Sequence, residues 1–352
     1  MPTTGKDVAV PHARSGRPVR ITDVAALAGV SIGTASKALN DTGQLRDETR
    51  ARVKDAAEKL GFVGDARARA LSSGRTYTVG MITTDSFGRF TMPVLLGAED
   101  ALSAGEVMVL VCDTRDDHVR EAHYLRSLVA RGVDGIIVTG RSADARPPID
   151  VPVPVPVVYA LTPSTAASDV SVTLDDAGGA AAAASHLVAL GRRRVAVVTG
   201  PTGARSAVSR AEGARVALGD RMVGEPMHGE WSERWGRQVV DLLDQGPGVG
   251  AGAAAGGAVD AVLCGNDQIA RGVCDRLRET GRSVPGDVAV TGYDDWDVVA
   301  LASRPPLTTV DMRLDELGRI AGRALLELVA GGHPASVSVT PSLVVRESTL
   351  GA

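Results

Sequence analysis

The chain has 352 residues, with 38 Lys and Arg against 42 Asp and Glu and a formal net charge of −4. Hydrophobic residues make up 44% and charged residues 23%, which excludes a wholly disordered chain and predicts two or three domains. No apolar run is long enough to cross a membrane and the first 20 residues hold no apolar signal core, so a cytoplasmic location without a membrane partner is expected.

Charge is unevenly distributed. Residues 1–78 carry 13 Lys and Arg against 8 Asp and Glu, a net of +5, so the remainder carries −9. A small basic head on an acidic body points to a polyanionic partner for the head. After a tail over 1–18, residues 21–40 read ITDVAALAGVSIGTASKALN. Thr22 is the expected N-cap of a short helix with Val24, Ala25, Leu27 and Ala28 on its apolar side, and Gly29 ends it. Ser31 caps a second helix running through Thr34, Ala35, Ala38 and Leu39 to Asn40. Two short helices this close describe a helix-turn-helix, and a third amphipathic helix is expected over about 47–60.

In a helix-turn-helix the second helix enters the major groove. Its exposed early positions are Ile32, Gly33 and Lys37. Lys37 can donate to guanine, and Ile32 offers apolar contact. Thr22, Ser31, Thr34, Ser36 and Asn40 are short donors suited to phosphate oxygens. The next segment, GDARARALSSGRT, suits a helix of two turns that needs a partner to persist. There Arg67 and Arg69 can reach phosphates and Leu71 can wedge into a minor groove; an ordinary charged linker is the other reading.

From residue 77 onward short β-branched runs recur at 79–83, 107–112, 135–138, 155–161, 195–199, 261–264 and 288–291, with helical stretches such as 119–131, 177–190 and 268–280 between them. Near-continuous apolar strands alternating with helices predict parallel sheets covered on both faces. That many strands exceed one comfortable core, so two α/β lobes are expected. Ligands in such sheets bind beyond the carboxyl ends of the strands. Thr84, Asp85, Asp113, Thr139, Asn266, Asp267 and Asp294 stand there, with Trp231 and Arg210 nearby, a set suited to a hydroxylated ligand.

Catalytic and metal signatures are missing from the sequence. Cys112, Cys264 and Cys274 are too far apart for a disulfide framework or a four-ligand zinc site. No HExxH pair, Walker A loop or GxSxG elbow occurs, so no metal, no cofactor and no enzymatic activity is expected. The glycine tract 246–257 lacks the spacing of a nucleotide loop and reads as a surface connection.

These residues resemble the LacI/GalR family of bacterial transcriptional repressors. The segment 21–40 is similar to its helix-turn-helix and ARARALSSGRT to its hinge helix. VDGIIVTG, GRRRVAVVTGP, GEWSE, CGNDQIARG, VPGDVAVTGYDD, PPLTTVDM and the closing Arg346-Glu347-Ser348 follow its pattern in order. The resemblance implies a small all-α headpiece over 19–63, a hinge over 64–76 and a two-lobed α/β body, like periplasmic sugar-binding proteins, over 77–352. The lobes are expected as 77–173 with 296–327, and 174–295 with 328–350. It further implies a homodimer on a pseudo-palindromic double-stranded operator, repressing transcription under control of a small effector, usually a sugar, bound between the lobes. The wedge role falls on Leu71, and effector contact on Arg210, Trp231, Asn266 and Asp294, with Thr84, Asp85 and Tyr159 near others. Lys37 stands where the family usually has arginine, and Gly33 removes a side chain that often reads bases. A transport-type binding protein without a DNA role, or a sugar-acting enzyme, shares the body but leaves the helix-turn-helix unexplained.

Overall fold

The computed structural model of the chain describes residues 19–62, 75–102, 107–245 and 258–351. The tail, the hinge segment with Arg67, Arg69 and Leu71, and the glycine tract lie outside the described residues. The chain divides into two units, one ending at Thr76 and one beginning at Tyr77.

Among its described residues the first unit holds three helices, α1 (Ile21–Ala28), α2 (Ile32–Leu39) and α3 (Asp47–Leu60). Its core is built mostly from alanine: Ala25, Ala28, Ala35, Ala38, Ala56 and Ala57 pack with Val24 and Val53. Side chains this small let the helix axes approach closely. Gly29 ends α1 in the left-handed region at φ 65°, and the Ser31 hydroxyl accepts the Thr34 N–H at 3.1 Å to begin α2. Thr22 does not cap α1. The helix starts two residues earlier, Arg20 occupies the cap position, and the Asp23 carboxylate reaches back to accept the Arg20 N–H at 2.8 Å. Acidic Asp23 in the first turn ties the N–H of the cap residue itself and sets negative charge at the helix start, and no cap side chain accepts an N–H from inside the helix. From α3, the Arg52 guanidinium donates to the Ala28 carbonyl at 2.9 Å and so seals the C-terminus of α1.

The second unit carries two parallel sheets. In chain order it contains β1 (Thr78–Thr83), α4 (Thr91–Ala101), β2 (Met108–Asp113), α5 (His118–Ala130), β3 (Gly135–Val138), β4 (Val157–Ala160) and β5 (Val170–Leu174). Then follow α6 (Asp176–Ala189), β6 (Val195–Thr199), α7 (Arg205–Leu218), β7 (Met227–His228), α8 (Glu233–Gln245), β8 (Ala261–Cys264), α9 (Asp267–Glu279) and β9 (Ala289–Thr291). The last elements are α10 (Asp297–Ala300), β10 (Thr309–Asp311), α11 (Leu314–Val329), β11 (Val337–Val339), β12 (Ser342–Val344) and α12 (Glu347–Leu350). The first lobe holds the sheet β11-β5-β4-β3-β1-β2 and the second the sheet β7-β6-β8-β9, every pairing parallel. Strands β10 and β12 form an antiparallel ribbon where the chain passes between the lobes.

The expected division of the lobes needs correction at two places. β11 pairs with β5, so residues 337–339 complete the first sheet rather than the second. Conversely Ala300 and Leu307 pack into the core of the second sheet, so the chain stays in that lobe past 296. The C-terminal third changes lobe twice within short extended segments, which carry too little periodicity to mark the crossings.

Three helix pairs cross at glycines. A Cβ on Gly97 in α4 would lie 1.8 Å from the Asp315 carbonyl, and one on Gly318 in α11 2.1 Å from the Val94 carbonyl. The α6–α7 pair crosses at Gly213, 2.0 Å from the Ala177 carbonyl, and α8–α9 at Gly236 and Gly272, 2.1 and 2.0 Å from Ile269 and Glu233 carbonyls. Backbone-to-backbone packing of this kind fills the interior of a chain with only 3% aromatic residues.

Candidate functional site

The exposed side of α2 carries the residues expected to meet DNA. Ile32 is 53% exposed, and Gly33, Lys37 and Asn40 are exposed with it, whereas Ala35 and Ala38 face the core. The aliphatic stem of Lys37 lies over Gly43, where a Cβ would come within 3.2 Å of Lys37 Cδ. Ser31 and Thr34 are occupied with each other, hydroxyl to hydroxyl at 2.9 Å, and with capping. Leu27 on α1 is 54% exposed, an apolar surface position that amphipathic patterning placed inside.

In the second unit, strand ends from both lobes converge on a cleft of about 620 Å³. The first lobe contributes Thr84, Thr114, Thr139 and Thr162, each following a strand, and the second contributes Arg210, Trp231, Asn266 and Asp294. Five of the seven expected effector residues therefore line one cavity. Asp85 and Tyr159 do not. The Asp85 carboxylate accepts the N–H groups of Phe90 and Thr91 at 2.8 and 3.0 Å, capping α4. Tyr159 is 1% exposed and its hydroxyl accepts the Ile149 N–H at 2.9 Å inside the first lobe. Asp85, six residues before α4 begins, answers the orphan N–H groups there, and Tyr159 packs into the first-lobe core with Ile82, Leu125 and Ile136.

Arg210 organises the second-lobe wall. It is buried, and its guanidinium donates to Asp176 Oδ1 at 2.8 Å, the Gly265 carbonyl at 2.7 Å and Asp294 Oδ1 at 3.3 Å. It also lies 3.7 Å over the Tyr293 ring. Burial works against its charge, yet Asp176, Tyr293 and Asp294 outweigh this and raise its pKa. Asp294 is held at a left-handed φ of 108° and is also ion-paired to Arg89 of the first lobe, which stacks 4.3 Å over Trp296. Burial pushes the Asp294 carboxyl up, against the pull of Arg89 and Arg210. Asn266 uses its side-chain oxygen to cap α9, accepting the Ile269 N–H at 2.8 Å. Behind the cleft, Asp267 is fully buried; it accepts the Thr309 hydroxyl at 2.5 Å and the Trp296 N–H at 2.7 Å. Burial and then the Asp294 charge push its pKa up to about 7.

Sequence reasoning missed Arg89, Phe90, Glu121, Asp144 and Arg146, all in the cleft wall. They sit in loops and at helix starts, several residues beyond the strand ends, where the strand-end signal does not reach. Among the described residues no cluster of side chains could hold a metal ion, and no helix is long and apolar enough to cross a membrane.

The signature described as bacterial regulatory proteins, lacI family, matches residues 20–65, and a periplasmic binding protein-like domain matches residues 184–349. The HTH-type transcriptional regulator CelR of Thermobifida fusca is 32% identical over 345 residues, covering 92% of this chain and 96% of CelR. The chain belongs to the lacI family. The solved CelR–cellobiose complex superposes with a TM-score of 0.62 at 30% identity over 94% of this chain and all of that one. The lac repressor dimer bound to operator and the anti-inducer ONPF gives a TM-score of 0.71 at 25% identity over 95% of this chain and all of that one. As a lacI-family protein the chain is a DNA-binding transcriptional regulator and not an enzyme, with an effector domain following the headpiece in the sequence.

Proposed function

We propose that the protein acts in the cytoplasm as a homodimeric repressor that reads a pseudo-palindromic operator through α2, and that its cleft takes an uncharged sugar of one or two rings. The observation that carries the ligand reading is charge pairing inside the cleft. Arg89 and Arg210 are paired with Asp294 and Asp176, Arg146 with Glu121 and Arg141 with Asp116. Among the described lining residues the guanidiniums of Arg89, Arg146 and Arg210 are tied up in half-buried or buried pairs, Arg141 stands 3.6 Å from Asp116 at the exposed rim, and Asp117 and Asp144 add further negative charge to the wall. What remains for a ligand are hydroxyls and aromatic faces. The buried Thr139 hydroxyl has no protein partner, and Phe90 and Trp231 offer apolar surface to a sugar ring. The cavity volume is of the size that small-molecule sites usually have, about 300–1,000 Å³, and the similar CelR was solved with cellobiose.

The dimer reading draws on the lac repressor dimer and on an open edge of the first sheet. β2 is the edge strand, with Met108 64% and Val111 45% exposed, and Met92 and Leu96 of α4 are half exposed on the same lobe. Such apolar edges are seldom left uncovered. Calorimetric titration with cellobiose, glucose and glucose 6-phosphate tests the ligand class. A neutral sugar should bind and the phosphate should not; tighter binding of the phosphate would overturn the reading.

A further inference from the structure

The loop between β3 and the proline-rich run 147–156 is held firmly to the first lobe. The Thr162 hydroxyl donates to the Ser142 carbonyl at 2.5 Å, the Arg146 N–H donates to the Pro163 carbonyl at 2.9 Å, and the Arg146 guanidinium grips Glu121 with bonds of 2.7 and 2.6 Å. From this anchored loop Asp144 reaches to the other lobe. Its Oδ1 accepts the backbone N–H of Arg205, the first residue of α7, at 2.7 Å. α7 has no cap of its own, because its N-cap residue is Ala204. A carboxylate of one lobe thus satisfies an orphan N–H of a helix in the other and sets negative charge against that helix's positive end.

We propose that Asp144 is an interlobe latch, an N-cap supplied across the cleft, which forms as the lobes close and governs how firmly an occupant is held. Asp144, Ala204 and Ser206 all belong to the cleft wall, so the bond lies beside the bound molecule. Parting the lobes exposes an uncapped helix end on one side and a free carboxylate on the other. Arg89 with Asp294 is a second tie between the lobes, deeper in the cleft and to a different segment. The retention role rests on the reading of the cleft as an effector site; the latch itself does not.

Arg205 permits a clean test. It is the first helical residue, where proline fits well, and Ala204 before it has φ −86° and ψ 122°, the extended backbone that a following proline prefers. Arg205→Pro therefore deletes the donor while keeping the helix, Asp144→Ala deletes the acceptor, and Arg205→Ala keeps the N–H. The full-length, ligand-free proteins are compared by acrylamide quenching of the tryptophans, of which Trp231 lines the cleft, with thermal melting as a check on folding. Arg205→Pro and Asp144→Ala should both raise quenching, the double variant should add nothing further, and Arg205→Ala should match the parent. With cellobiose as the probe, calorimetry should show about a tenfold loss of affinity in the same two variants, the size expected for one charge-assisted hydrogen bond. Parental quenching in both, or an Arg205→Ala that behaves like Arg205→Pro, overturns the latch. If cellobiose binds none of the proteins, the sugar reading falls while the quenching result still decides the latch.

Discussion

Asp294 is where the chemistry of the cleft concentrates, since it joins Arg89 of one lobe to Arg210 of the other. Its φ of 108° makes alanine a poor probe, because strain of about 1–3 kcal/mol would be added to the loss of charge. Asparagine tolerates positive φ better. Asp294→Asn should weaken sugar binding by about 1.5–3 kcal/mol in calorimetry, while the sugar-free variant still prefers the operator over bulk DNA in a gel shift. Lys37→Ala should cost about 1–3 kcal/mol and relax one base position in a selection from randomised half-sites; retained selectivity would remove Lys37 from base reading. Asp267 gives a pH signature. Its folded pKa, near 7, lies above the ordinary carboxylate value of 3.8, so the protonated form is favoured on folding. Its stabilising contribution is complete below the unfolded pKa and is lost as pH rises from about 4 to about 7, on the order of a few kcal/mol in all. Melting of Asp267→Asn against the parent should show the variant gaining relative stability across that window, and a pH-independent difference would contradict it.

The helix pairs that frame the lobes are set by glycines. Gly272→Ala should gain about 1 kcal/mol in helix propensity, yet it drives a methyl to 2.0 Å from the Glu233 carbonyl, and overpacking of that kind costs about 1–3 kcal/mol or more. A net fall in urea midpoint is expected; a rise would mean that α8 and α9 can separate without penalty. Much at this scale was legible beforehand. Gly29, Ser31 and the strands at 135–138, 195–199 and 261–264 stand where capping chemistry and continuous apolar runs put them. β5 and the ribbon β10–β12 were missed because they are short and built into crossings, where pairing with distant strands decides conformation. Asp85 and Tyr159 were misassigned for a related reason: a strand-end position fixes where a residue starts, but not which side its side chain serves. Arg89 and Asp144 could not be found from local pattern, because each acquires its role from a residue in the opposite lobe, 205 and 61 positions away.

For the whole molecule, the basic headpiece and the polar cleft matter together only if one alters the other. A ligand can shift operator affinity only as far as it binds two arrangements of the body unequally. The ties of Arg89 to Asp294 and of Asp144 to Arg205 join the two lobes, and under the proposed closure they would supply such a difference. The decisive measurement is fluorescence anisotropy of the purified chain on a selected pseudo-palindromic duplex and on bulk DNA, with and without saturating cellobiose or a sugar identified by titration. The expected result is a strong preference for the palindrome that the sugar changes by about tenfold or more in the parent, but not in Asp294→Asn. Equal binding to both DNAs, or an operator affinity that no bound sugar alters, would contradict it.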